Sequence, residues 1–185
     1  GLGSLTEIVG DFEVSSSSSS DHSSSSLGSL ENFVGLDNLG RIGGSFRITS
    51  SSNASSRSSS LGSLENFVGL DNLGRIGGSF RITYLNSLQN FSGLGSLTAI
   101  GGDFISKDKS LSAETGLEKL VTVGGEMNVR LSYNGDAHFT ALQSVGGALS
   151  LFSNSTSSSS SQSNLNLPVL KTVGGTFGLM YFKSV

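Results

Sequence analysis

The sequence predicts an all-β fold: a parallel β-solenoid of about seven coils of 22–24 residues, with serine-rich loop insertions. Three observations predict it. Residues 27–49 and 61–83 are the same 23-residue segment, 34 positions apart. A weaker form of its phrase, Leu-x-x-Leu-x-x-Ile/Val-Gly-Gly-x-Phe-x-Ile, runs through the whole chain. The Gly-Gly pairs begin at 43, 77, 101, 124, 146 and 174, so the intervals are 34, 24, 23, 22 and 28. Self-similarity at such periods marks stacked units, none of which can bury its apolar side alone.

The units follow one another plainly. The first is a degraded copy with Leu2, Leu5, Ile8, Gly10, Phe12 and Val14. Leu36, Leu39, Ile42, Phe46 and Ile48 carry the second, and Leu70, Leu73, Ile76, Phe80 and Ile82 the third. The fourth has Leu94, Leu97, Ile100 and Phe104, and the fifth Leu117, Leu120, Val123, Met127 and Val129. Leu142, Val145, Leu149 and Leu151 mark the sixth. Leu167, Leu170, Val173, Phe177 and Leu179 mark the seventh, which ends in a strand predicted over Thr176–Phe182.

Within each unit two periods meet. Phe-x-Ile after the glycines alternates as a half-buried strand does. Leu-x-x-Leu-x-x-Ile before them steps in threes, which suits a tight turn or a short extended corner. Glycine permits both positive φ and close backbone approach, so the pairs, and the single Gly35, Gly69, Gly93 and Gly116, allow successive coils to turn and stack. Equivalent strands then run parallel. Phe46, Phe80, Phe104, Met127, Leu149 and Phe177 are expected to form one buried column. In the copy at 101–107, Ile105 falls outward and Ser106 inward, which requires either a bulge or an apolar contact point at Ile105.

Composition narrows the class. At 185 residues the chain reads as a single repeat domain, 1–185. It opens in mid-unit and shows no polar cap at either end, which suits a piece of a longer chain or ends covered by neighbours. Net charge is −3 with no Lys/Arg cluster, which speaks against nucleic acid and anionic membranes as partners. No apolar run approaches the roughly 20 residues of a membrane-spanning helix. The absence of cysteine removes disulfides and thiol chemistry.

Serine tracts fall in three loops, 15–26, 50–60 and 153–164, each after a Phe-x-Ile-type strand. Such tracts add nothing to a packed core. Insertions recurring at one place in a repeat map to one side of the stack. Three sequons, at Asn53, Asn90 and Asn154, are candidate glycan acceptors, with Asn90 in the regular, less accessible part of its repeat.

The phrase Leu-x-x-Leu-x-x-Ile-x-Gly-x-Leu-x-Ile resembles the repeat of receptor L domains. In its double-glycine form it is most similar to the L-domain-like repeats of fungal glycolipid-anchored cell-wall proteins and bacterial surface leucine-rich proteins. The likeness spans nearly all the chain outside the serine tracts, and its motif is structural. It implies a right-handed leucine-rich solenoid, an extracellular or cell-surface location and no particular site. The animal receptors' cysteines have no counterpart here.

No catalytic, cofactor or metal constellation emerges. His22 lies in a serine tract, and His138 follows the turn signal Asn134-Gly135-Asp136 and reads as a loop residue. Lys107-Asp108-Lys109 offers one carboxylate between two cations, which falls short of a calcium loop. The repeat does provide outward columns. One reads Glu13, Arg47, Arg81, Ile105, Asn128, Ser150, Gly178, and the slot before it Asp11, Ser45, Ser79, Asp103, Glu126, Ala148, Thr176. Glu13, Arg47, Arg81, Ile105 and Asn128 are therefore the candidate partner-binding face. The expected function is a non-enzymatic extracellular or cell-surface structural or adhesive module, a candidate for glycosylation and for a place in a wall or filament assembly. Its partners would be proteins or glycans, with self-association end to end as one form. A ligand-binding receptor-type ectodomain is the alternative, and a carbohydrate-active β-helix enzyme a remote one.

Overall fold

The computed structural model describes residues 2–16, 30–50, 63–85, 87–107, 116–131, 136–153, 163–180 and 182–184, and every regular element among them is a β-strand. In chain order the strands begin with β1 (Glu7–Ile8), β2 (Phe12–Ser16), β3 (Arg41–Ile42), β4 (Phe46–Ser50), β5 (Arg75–Ile76) and β6 (Phe80–Thr83). There follow β7 (Ala99–Ile100), β8 (Phe104–Ser106), β9 (Thr122–Val123), β10 (Met127–Leu131), β11 (Ala137–His138) and β12 (Ser144–Val145). The last are β13 (Leu149–Ser153), β14 (Ser163–Asn166), β15 (Thr172–Val173), β16 (Phe177–Met180) and β17 (Phe182–Ser184).

Parallel pairing sorts these strands into stacked sheets. Seven two-residue strands form one sheet, β1-β3-β5-β7-β9-β12-β15, and seven longer ones a second, β2-β4-β6-β8-β10-β13-β16. Each repeat thus gives one strand to each sheet. A third sheet, β11-β14-β17, adds the late segments.

The three-residue step is a run of tight turns rather than a helix. Leu36 N–H donates to Phe33 O at 3.0 Å and Leu39 N–H to Leu36 O at 2.8 Å; Leu70, Leu73, Leu94 and Leu97 repeat the pattern. Such turns bring every third side chain inward, so Leu36, Leu39 and Ile42 are all buried. Side chains of the longer strands alternate, with Phe46 and Ile48 inward.

Register makes each inward position a column. Phe46 pairs Phe80, which pairs Phe104, then Met127 and Leu149, and all five are fully buried. Phe12, Phe46, Phe80 and Phe104 have ring centroids 5.0, 5.1 and 5.3 Å apart. A second column, Phe33, Phe67 and Phe91, stacks at 6.1 Å and meets the first edge-on or tilted. Aromatic pairs favour such separations. Phe177 continues the column opposite Leu149 but is not buried as expected: it is 47% exposed, because β16 is the sheet edge and no described strand covers it.

Two glycine roles separate. Among the described glycines, Gly35, Gly69, Gly93 and Gly116 alone have positive φ, near +100°. The Gly-Gly pairs answer to space instead, since a Cβ on Gly77 would stand closer than 3.0 Å to the carbonyl of Gly43.

Three further differences from expectation have simple causes. Strand β8 keeps register with β6 and β10, so there is no bulge; Ser106 takes an apolar slot, fully buried, and its hydroxyl has no hydrogen-bond partner. The terminal strand predicted over Thr176–Phe182 is two strands, β16 and β17, which pair with different neighbours. His138 is not a loop residue: it lies in β11, opposite Asn166 of β14. Pairing also claims the edges of the serine insertions, with Ser15, Ser50, Ser153 and Ser163 all in strands.

Candidate binding face

The outward column of the longer sheet is one continuous row by register: Glu13, Arg47, Arg81, Ile105, Asn128, Ser150 and Gly178. The structure therefore brings the five candidate residues together on one face. Glu13 and Arg81 are exposed, and Arg47, Ile105 and Asn128 are half-buried.

Most polar groups here serve the stack itself. Ser45 N–H donates to Asp11 Oδ1 at 2.7 Å, and Ser79 N–H to Ser45 Oγ at 3.1 Å. Asp103 N–H donates to Ser79 Oγ at 3.1 Å, and Glu126 N–H to Asp103 Oδ1 at 3.0 Å. A short acceptor in this slot thus satisfies the amide of the next repeat four times running, meeting the demand that a half-buried N–H find a partner. Beyond Glu126 the slot holds Ala148, which has no side-chain acceptor.

Both arginines of the row are paired within the stack, and Glu126 accepts a hydrogen bond from its neighbour. Arg47 donates to Asp11 Oδ2 at 2.9 Å, Arg81 to Asp103 Oδ2, and Asn128 Nδ2 to Glu126 Oε1 at 3.1 Å. The Ser45 amide first, then the Arg47 guanidinium, holds the Asp11 carboxyl below its ordinary value of 3.8. Ile105 is the apolar break in this row, between Arg81 and Asn128.

The next outward column changes character along the stack. Ser15, Thr49 and Thr83 align at one end, with Thr83 Oγ1 3.4 Å from Thr49 Oγ1. Arg130, Phe152 and Met180 align at the other.

Asn90 is half-buried, and its Oδ1 accepts the Ser92 N–H at 3.0 Å. Asn32 and Asn66 hold Val34 and Val68 in the same way at 3.1 Å, so Asn90 occupies a turn-forming position of the repeat. Asn53 and Asn154 lie outside the described residues. A shallow groove of about 430 Å³ runs between Glu31, Asn32, Ser63, Glu65 and Asn66. Among the described residues no group of three or more His, Cys, Asp or Glu is placed to hold a metal, and no helix is long and apolar enough to cross a membrane.

Sequence reasoning missed the acceptor ladder. Its signal was present: Asp or Ser stands directly before Phe in Asp11-Phe12, Ser45-Phe46, Ser79-Phe80 and Asp103-Phe104. No family model, curated protein or solved structure matches the chain.

Proposed function

We propose that this chain is a right-handed, leucine-rich β-solenoid of receptor L-domain-like type with about seven coils. In this reading it is a non-enzymatic structural or adhesive module of an extracellular surface, wall or filament. The observation that carries the reading is where the polar groups go. Asp11, Ser45, Ser79, Asp103, Arg47 and Arg81 bond within the stack, as suits a scaffold whose regular face stabilises itself. Serine tracts and the sequons at Asn53, Asn90 and Asn154 support a glycan-bearing surface. Protein and glycan partners then meet the loops as well as the face of Glu13, Arg47, Arg81, Ile105 and Asn128.

Mass spectrometry of native material tests this. Glycans are expected at Asn53, Asn154 and the serine tracts. Bare acceptors throughout would overturn the glycan-bearing, extracellular reading. A second reading, a ligand-binding ectodomain, is favoured by one observation: the apolar Ile105 interrupts an otherwise polar row.

A further inference from the structure

One position in the column of first glycines carries a Cβ where every other position carries none. Each Gly-Gly pair from Gly43 to Gly174 sets its first glycine against the backbone of the preceding repeat. A Cβ on Gly77, Gly101, Gly124, Gly146 or Gly174 would stand closer than 3.0 Å to the carbonyl of the glycine before it in the column. In the first repeat this position is Val9. The pairs Ile8–Ile42 and Phe12–Phe46, with Gly43 N–H donating to Ile8 O at 2.7 Å, hold Val9 in the same slot as Gly43. Its side chain is 83% exposed, and since a Cβ on Gly43 would point at the Val9 carbonyl, the shared register turns the Val9 Cβ away from Gly43, toward where a preceding repeat would stack.

Among the described residues, the strand columns at the two ends are compatible. Val173, Phe177 and Leu179 at the β15–β16 end occupy the slots that Ile8, Phe12 and Val14 would cover. Thr176 stands where Ser45 and Ser79 accept the next repeat's amide, which would be that of Asp11. Thr172, Thr176 and Gly178 would meet Glu7, Asp11 and Glu13, so no like charges face each other. Phe177 and Met180 are 47% and 44% exposed at that end, and an exposed apolar edge strand is a template for addition.

We propose that Val9 is a stacking stop. It keeps the β1–β2 end of one copy from seating on the β15–β16 end of a second copy in the register used inside the chain. Atoms forced that close cannot be accommodated without moving backbone, and packed interiors yield little. Head-to-tail contacts of this kind would otherwise propagate as a filament. This inference rests on the register of the stacked repeats and is independent of the glycan-bearing reading.

Sedimentation velocity over a wide concentration range tests it with the 185-residue chain. Wild type and Val9→Ala, which retains the Cβ, should sediment as one species at all concentrations. Val9→Gly should show a sedimentation coefficient that rises with concentration, and adding Leu179→Lys should reverse the rise. Circular dichroism of each variant verifies that the fold is kept, as the exposure of Val9 leads one to expect. The proposal is overturned by a Val9→Gly protein that sediments like wild type, by a Val9→Ala protein that assembles like Val9→Gly, or by a wild type whose assembly Leu179→Lys abolishes.

Discussion

Residues 27–49 and 61–83 share one sequence, and their described parts occupy two environments. Gly35 and Gly69 have the same left-handed backbone, with φ of 102° and 99°. A Cβ on Gly35 would meet no described atom within 4 Å, whereas on Gly69 it would stand closer than 3.0 Å to the Phe33 backbone. Arg41 lies 3.5 Å from Glu7, while its twin Arg75 has Arg41 and Ala99 as column neighbours. Arg47 reaches back to Asp11 of the preceding repeat, and Arg81 reaches forward to Asp103 of the following one. Val34 is 69% exposed and Val68 40%. Local sequence therefore decides the backbone, and the neighbouring repeat decides what each side chain is worth. The twins part after Thr49 and Thr83: Ser50 continues β4 into the core, while Tyr84 leaves with φ of 65°.

The largest effect should come from the aromatic column. Phe80 sits between Phe46 and Phe104 and is fully buried, so Phe80→Ala should cost about 3–5 kcal/mol in urea unfolding. Phe177→Ala, at the uncovered edge, should cost only about 1–2 kcal/mol, since about half of its surface already faces solvent. Equal costs would break the claim that neighbours set the energetics.

A smaller effect, of opposite sign, is expected where a repeat departs from its twins. Ser106 occupies the slot of Ile48, Ile82 and Val129, buried and without a hydrogen-bond partner. Ser106→Val removes the unpaired hydroxyl and fills the column, so it should stabilise by about 1–2 kcal/mol. A destabilised variant in the same titration would show that the hydroxyl is satisfied in solution.

The smallest effect is electrostatic. The folded-state pKa of Asp11 lies below its ordinary 3.8, so its contribution is present above that pH and is lost as pH falls through the depressed value. Asp11→Asn should therefore unfold earlier than wild type near neutrality, with the gap closing in acid. Half-exposed pairs are screened by salt, so high ionic strength should also narrow the gap. A gap indifferent to both pH and salt would assign the loss to something other than the carboxylate.

The stacking was legible because its cause is periodic. A glycine pair, a three-residue step and a Phe-x-Ile alternation each impose one geometry wherever they recur, and the outward column followed by counting. What stayed illegible depended on partners distant in sequence. The ion pairs of Arg47 and Arg81 run in opposite directions from identical local sequence, so no local rule could assign them. The third sheet arises from Ala137–His138, Ser163–Asn166 and Phe182–Ser184, which share no repeated phrase. The exposure of Phe177 follows from its place at a sheet edge, which its own repeat does not encode.

Equilibrium unfolding of Gly35→Ala and Gly69→Ala, side by side, tests the central claim most directly. Both substitutions place a Cβ on a left-handed residue of the same local sequence, which costs about 1–2 kcal/mol. Gly69→Ala should cost about 1–3 kcal/mol more, because its Cβ also meets the Phe33 backbone. Equal losses in the two proteins would contradict the account, since they would mean that the neighbouring repeat contributes nothing to the difference.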